Sequence, residues 1–257
     1  MTAAPPPVDP TLLDTAVAIA RQAGDATLAW YRSSTLDVET KGDGSPVTAA
    51  DRAAERIVRE EVASRFPGDA IVGEEEDDTD GTSGRTWYVD PIDGTKSFVH
   101  GVPLYSTLLA VDDEHGPAVG VIHLPALGET VWAGRGLGCW HDGRPARVND
   151  RTELQGSYVM TSGIDYWPAD LFARMLTVPV VLRTWGDGYG YALVATGRAE
   201  AMIDPTVNPY DIAPMRVILA EAGGRFSDLA GRPRHDGGSG VATNGHLHDA
   251  LLAALLG

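Results

Sequence analysis

Trp87-Tyr88-Val89-Asp90-Pro91-Ile92-Asp93-Gly94-Thr95 is the stretch whose reading decides the fold, because it sets two carboxylates three residues apart where a strand gives way to a helix. The apolar run Trp87, Tyr88, Val89 reads as a buried strand, and Pro91 has no N–H to give a ladder. The chain is therefore expected to leave the sheet as it presents Asp90. Asp93, Gly94 and Thr95 read as a first helical turn, whose free backbone N–H groups and positive dipole end suit an anionic ligand. Two carboxylates alone would repel a phosphate. A hard divalent cation such as Mg2+ resolves the conflict, since it takes oxygen ligands and bridges carboxylate to phosphate. An ordinary reading stands beside this one: an Asp N-cap after a strand, with Gly and Pro supplying the turn.

Working outward, Ile71-Val72 delivers Gly73-Glu74-Glu75 at another expected strand end, and Glu74 becomes a third candidate ligand. Glu76, Asp77 and Asp78 follow, so a solvated acidic loop explains the same residues. Far downstream, Asn208-Pro209-Tyr210-Asp211-Ile212-Ala213-Pro214 opens a helical stripe of Met215, Val217, Ile218 and Ala222, stopped by Gly223-Gly224. Asp211 sits at its start, where capping explains an Asp equally well. Upstream, the Gly-rich Lys41 to Ser45 loop leads into a helix extending to about Phe66, with Thr48 as natural N-cap. Asp51 either completes a variant capping box or holds the Thr95 hydroxyl so that it orients a nucleophilic water.

Gly-Glu-Glu, Asp-Pro-Ile-Asp-Gly-Thr and the later Tyr-Asp-Ile-Ala occur in the order of the signatures of the inositol monophosphatase family, which this chain resembles over nearly its whole length after about residue 10. Tyr210 departs from the Trp usual before the last Asp, one large aromatic for another. The resemblance implies Mg2+, two or three ions, with Mn2+ an alternative. Glu74, Asp90 and the Ile92 carbonyl would bind the first ion, and Asp90, Asp93 and Asp211 the second. A third, weaker ion would rest on Glu74 near the Lys41 to Ser45 loop. Gly94 and Thr95 amides would hold phosphate, and Asp51, Thr95 and Glu74 would be catalytic. The implied reaction is in-line attack of a metal-activated water on a phosphate monoester, without a phosphoenzyme.

Three segments look most like the histidinol-phosphate phosphatase branch: 93–103, Arg183 to Tyr191, and Val194 to Ala201. Where inositol phosphatases tend to have a small Gly-Thr-Ala or Gly-Ser-Ala turn, this chain has Gly186-Asp187-Gly188, and Asp204 matches the family's other substrate-facing acid. A neutral polyol needs hydroxyl partners, whereas histidinol phosphate brings an ammonium and an imidazole that two carboxylates favour. Trp185 is expected to stack on that ring, though a core Trp and a capping Asp187 would account for the same residues. The alternatives are an inositol-1-monophosphatase and, from another class, a catalytically weak member acting as a binding or regulatory protein. The latter should have lost a ligand or Thr95, and neither is missing.

With 257 residues and a net charge of −16, the chain can bury a sizeable core and lacks the clustered Lys and Arg of a nucleic-acid or anionic-membrane binder. No run of 18 apolar residues is present and Met1 to Pro10 has no leader pattern. The single Cys139, read as an ordinary packed thiol, excludes an internal disulfide and suits the cytoplasm. A homodimer is expected by resemblance and from the frequency of two-fold oligomers.

Helices at about 10–32 and 48–66 should precede strands near 70–73, 86–90, 105–112, 117–123 and 129–133, the last three as a meander. This α+β half, 1–145, would carry Glu74, Asp90 and Asp93. In 146–257 the alternation of strands and helices favours an α/β half with a mostly parallel sheet, carrying Asp211 and the substrate pocket. The resemblance implies a layered αβαβα sandwich with the site between the halves.

Overall fold

The computed structural model describes residues 4–34, 36–42, 44 and 46–257. Asp43 and Ser45, in the loop expected beside a third ion, lie outside the described residues, as does the Met1 to Ala3 start of the Pro-rich lead-in. In chain order the elements are α1 (Pro10–Thr27), β1 (Val38–Thr40), β2 (Pro46–Thr48), α2 (Ala49–Arg65), β3 (Ala70–Gly73), β4 (Thr86–Asp93), α3 (Thr95–Val99), β5 (Ser106–Asp113), β6 (Gly116–Leu124), β7 (Glu129–Gly134), β8 (Gly138–His141) and β9 (Arg144–Pro145). They continue with β10 (Tyr158–Met160), a 3-10 turn (Ile164–Tyr166), α4 (Ala169–Met175), β11 (Val181–Arg183), α5 (Asp187–Ala195), β12 (Ala201–Asp204), α6 (Pro209–Ala222), β13 (Arg225–Ser227), β14 (Gly240–Thr243) and α7 (His248–Leu256).

Strands β3 to β9 form one sheet in chain order, parallel only at the β3–β4 pair. The second sheet runs β11-β10-β12-β14-β13. Here the expectation of a mostly parallel sheet is corrected: β10 is parallel to β11 and β12, but β14 is antiparallel to both β12 and β13. Parallel neighbours need a long crossover connection, usually helical. The chain between β13 and β14 contains no helix and folds straight back.

Period-two alternation distributes the apolar side chains into layers. Val119 and Val121 of β6, with Leu109 and Val111 of β5, face a core shared with α1 and α2. Ile122, Leu124 and Leu108 point the other way, into a core with Tyr191 of α5, Ile218 of α6 and Met202 of β12. Ile203 and Val241, on the far face of the second sheet, pack against Leu171 of α4 and Leu251 of α7. The order is α1/α2, first sheet, α5/α6, second sheet, α4/α7, the five-layered sandwich that the resemblance implies.

Two elements end elsewhere than the sequence suggests. Helix α1, N-capped by Asp9 with Pro10 in its first turn, stops at Thr27 rather than continuing to about residue 32. The Thr27 hydroxyl there donates to the Gly24 carbonyl at 2.6 Å and meets the Tyr105 hydroxyl at 3.0 Å, and Arg32 takes a φ of +60°. Strand β4 does not end at Asp90. It runs to Asp93, but its register against β5 slips there, Asp90 opposing Leu108 and Asp93 opposing Ser106. Pro91 and Ile92 occupy this bulge, and the Thr107 hydroxyl donates to the Pro91 carbonyl at 2.8 Å. No helix among the described residues is long and apolar enough to cross a membrane.

Candidate active site

Strand ends and helix starts meet at one cleft of about 610 Å³, lined by Glu74 beyond β3, Asp90, Ile92 and Asp93 on β4, Gly94 and Thr95 at α3, Asp187 at α5, Asp204 on β12 and Asp211 at α6. The first turns of α3, α5 and α6 lie at this cleft, so the positive ends of their dipoles accompany the carboxylates.

Asp51 caps α2 and also approaches Thr95. One carboxylate oxygen accepts the Thr48 N–H at 2.8 Å and the Thr48 hydroxyl at 2.6 Å, completing the capping box of α2. The other lies 3.4 Å from the Thr95 hydroxyl, which also reaches the Ile92 carbonyl at 3.0 Å. Asp211 is used in the same way: Oδ2 accepts the Asn208 N–H at 2.8 Å at the start of α6 while the residue lines the cleft.

Asp93 accepts the Ser106 hydroxyl at 2.8 Å and the Gly188 N–H. Glycine is required at 188, where a Cβ would stand 2.2 Å from Ser106 Oγ. Asp187 holds a positive φ of 53°, unusual for a non-glycine and of order 1 kcal/mol or more in cost, and its N–H donates to Ser162 Oγ at 2.9 Å. It does not cap α5. Its carboxylate lies against Gly94, where a Cβ would sit 2.6 Å from Oδ2. Asp204, buried, accepts the Ser162 N–H at 2.9 Å and the Tyr191 hydroxyl at 3.0 Å.

Burial, with the neighbouring carboxylates Glu74, Asp93 and Asp211, pushes the Asp90 carboxyl well above its ordinary range, and burial with Asp187 and Asp211 does the same to Asp93. Asp211 is pushed up to about 7 by burial and by Glu74, Asp204 and Asp187. Asp187 also reaches about 7, through burial and Asp204. Lys41 answers part of this charge, donating to Glu74 at 2.8 Å and Glu75 at 2.6 Å. Burial disfavours its ammonium, yet these two partners hold its pKa above the ordinary value.

The residues fit a hard cation. The Asp90 Oδ1 atom is buried without a hydrogen-bond partner among the described residues, and the surrounding donors are carboxylate and carbonyl oxygens, the set that Mg2+ takes. Among the described residues no three His, Cys, Asp or Glu side chains are drawn to metal-ligand spacing. Glu74 is paired with Lys41 at 2.8 Å.

One sequence expectation is corrected. Trp185 is not among the residues lining the cleft; it stands 44% exposed, stacked on Tyr158 at 6.3 Å and 15°. It precedes the turn that carries Asp187 inward and is left outside. Tyr166, on the 3-10 turn, lines the cleft together with Tyr191 and Tyr210, and its hydroxyl accepts from Lys96 at 2.7 Å. Ser106 and Ser162 carry no sequence signal, because a lone hydroxyl has no spacing pattern, and Tyr191 is marked only as the end of the Arg183 to Tyr191 segment. Lys41 does carry a signal, its place in the Gly-rich loop.

A model of the inositol monophosphatase family matches residues 9–256. A histidinol-phosphatase of Chlorobaculum parvum is 40% identical over 95% of this chain and 96% of that protein. One from Mycobacterium tuberculosis is 39% identical, over 93% of this chain and 96% of its own length. Among solved structures, the extragenic suppressor protein suhB of Bartonella henselae aligns with a TM-score of 0.87 at 28% identity, covering 95% of this chain and 98% of that one. An IMPase of Thermotoga maritima gives 0.84 at 30% identity, covering 96% and 97%. Matched from its first helix to its last, with the fold shared and the acidic cleft set between the two sheets, this chain belongs to the inositol monophosphatase family.

Proposed function

We propose that this chain is a Mg2+-dependent phosphate monoester hydrolase acting on L-histidinol phosphate, releasing L-histidinol and phosphate at a step of histidine synthesis. Glu74, Asp90, Asp93, Asp211 and the Ile92 carbonyl would hold two ions, with a third near Glu74, and Mn2+ would be an alternative. When bound, the metal supplies positive charge against the phosphate oxygens and makes water a better nucleophile at neutral pH. The backbone N–H groups of Gly94 and Thr95 receive the phosphate. The Thr95 hydroxyl, between Asp51 and the Ile92 carbonyl, aligns the attacking water and passes its proton toward Asp51, whose buried carboxyl has a raised pKa.

The observation that carries the choice of substrate is Asp187, buried against Gly94 with Asp204 beside it. In histidinol phosphate the ammonium is one carbon removed from the ester carbon, so a carboxylate next to the phosphate turn meets it directly. The two histidinol-phosphatases compared above support the same reading. By the family resemblance and its single, buried cysteine we also infer a cytoplasmic homodimer. Light scattering on the purified protein tests the dimer.

The test is Mg2+-dependent phosphate release from L-histidinol phosphate against inositol 1-phosphate at equal low concentration, with a chelator control. A preference for inositol phosphate would make this an inositol monophosphatase, and no release from any monoester would favour a binding role. Asp187→Ala should lower kcat/KM for histidinol phosphate at least about tenfold more than for an aryl phosphate, the loss of a charge-assisted contact of about 1.5–3 kcal/mol. Equal losses on both would remove the reason for this substrate.

A further inference from the structure

Helix α2 carries a second buried carboxylate one turn beyond Asp51. Glu55 is fully buried and has no place in the cleft lining. Its Oε2 accepts the backbone N–H of Glu75 at 2.8 Å and its Oε1 that of Glu76 at 3.1 Å. Arg59, one turn further, donates to Glu55 Oε1 at 2.8 Å, to the Glu76 carbonyl at 2.9 Å and to the Thr79 hydroxyl at 3.2 Å. The turn so gripped is the one that presents Glu74. At its base Ile71 and Thr79 exchange backbone hydrogen bonds of 2.9 and 2.8 Å. Helix and turn approach so closely that a Cβ on Gly73 would fall 2.2 Å from Glu55 Oε1.

We propose that Glu55, neutralised by Arg59, is a positioning residue that fixes the Glu74 carboxylate for the divalent cation by clamping the amides of Glu75 and Glu76. The chemistry favours this over simple loop anchoring. Residues 74–78 are all acidic, so a buried carboxylate there adds repulsion that a neutral acceptor would avoid. Only a carboxylate offers two equivalent acceptor oxygens to two successive N–H groups, whereas glutamine would set an NH2 group against one of them. Asp51 and Glu55, at i and i+4, share one helix face. The first reaches the Thr95 hydroxyl and the second the Glu74 turn, so α2 sets the distance between the nucleophile's support and a metal ligand.

The inference rests on the reading of Glu74 as a ligand, and the test separates the two. Mg2+ binding is measured by calorimetry on the wild type, Glu55→Gln, Arg59→Met and Glu74→Gln, together with Mg2+ activation curves. Glu55→Gln should weaken Mg2+ binding and raise the Mg2+ activation constant by about tenfold, the usual effect of losing a partner that orients a ligand. Its kcat at saturating Mg2+ should return to within about threefold of wild type, because the chemistry itself is untouched. Arg59→Met, should Glu55→Gln fail to fold, is expected to shift both constants in the same direction. A Glu55→Gln or Arg59→Met protein that melts earlier but binds Mg2+ as the wild type does, while Glu74→Gln binds weakly, overturns the clamp and leaves the metal site standing. If Glu74→Gln itself binds Mg2+ normally, both fall.

Discussion

At the scale of single residues, the lesson is that a carboxylate has two oxygens. For Asp51 and Asp211 the sequence offers a choice between helix cap and site residue; one oxygen of each accepts a backbone N–H at its helix start, while Asp51 also lies beside Thr95 and Asp211 lines the cleft. Asp90 differs, since its Oδ1 has no partner among the described residues. Asp90→Asn should therefore lower phosphatase activity by at least about 100-fold with little loss of stability, because it removes an anion between two proposed ions but keeps the shape. Near-normal turnover in the folded variant would refute the metal assignment. Far from the cleft, His248 is buried between the Ser227 and Thr243 hydroxyls at 2.9 and 3.1 Å, and burial together with Arg225 lowers its pKa from 6.5 to about 4. The unfolded chain then binds a proton that the folded one refuses, so stability is intact above about pH 6.5 and falls as the pH drops toward 4. The loss amounts to about 3 kcal/mol at most. Urea titrations of wild type and His248→Gln across that window should show the wild type losing stability faster; parallel curves would contradict it.

At the scale of elements, those with strong periodicity and caps were legible. Asp9-Pro10 and Thr48 start their helices as expected, and the β5–β6–β7 meander falls where the turns put it. The β1–β2 hairpin was not anticipated, since β1 is exposed at every position and no alternation marks it. The short β8 strand, with Cys139 its one buried residue, gave equally little signal. The end of β4 was misplaced because Pro91 forbids a ladder bond but not a bulge. Helix α1 gives the clearest element-scale prediction. Its cap is the 2.8 Å bond from Thr11 N–H to the Asp9 carboxylate, so Asp9→Ala should cost about 1 kcal/mol in denaturant stability and leave kcat unchanged. A variant as stable as the wild type would show that the N-terminal turn is held by other contacts.

At the scale of the whole molecule, the two halves meet in a common core. Leu108 and Ile122 of the first sheet pack in one cluster with Tyr191, Met202 and Ile218 from the second half. We propose that the division near residue 145 separates two sheets but not two cooperative units. Calorimetry should give one transition whose calorimetric and van't Hoff enthalpies agree, and two resolved transitions would establish independent domains. The sequence by itself determined which acidic residues gather at the cleft, the turn at Gly94 and Thr95, the principal helices and the family resemblance, because these are written in local spacing, capping chemistry and period. Only the tertiary structure decided that Trp185 stacks on Tyr158 outside the cleft lining, that Ser106, Ser162 and Tyr191 support its acids, that Glu55 grips the Glu74 turn and that the second sheet is half antiparallel. The reason is physical: each depends on which strand end and helix start are brought together across long separations in sequence, and a side chain's type does not encode its distant neighbour.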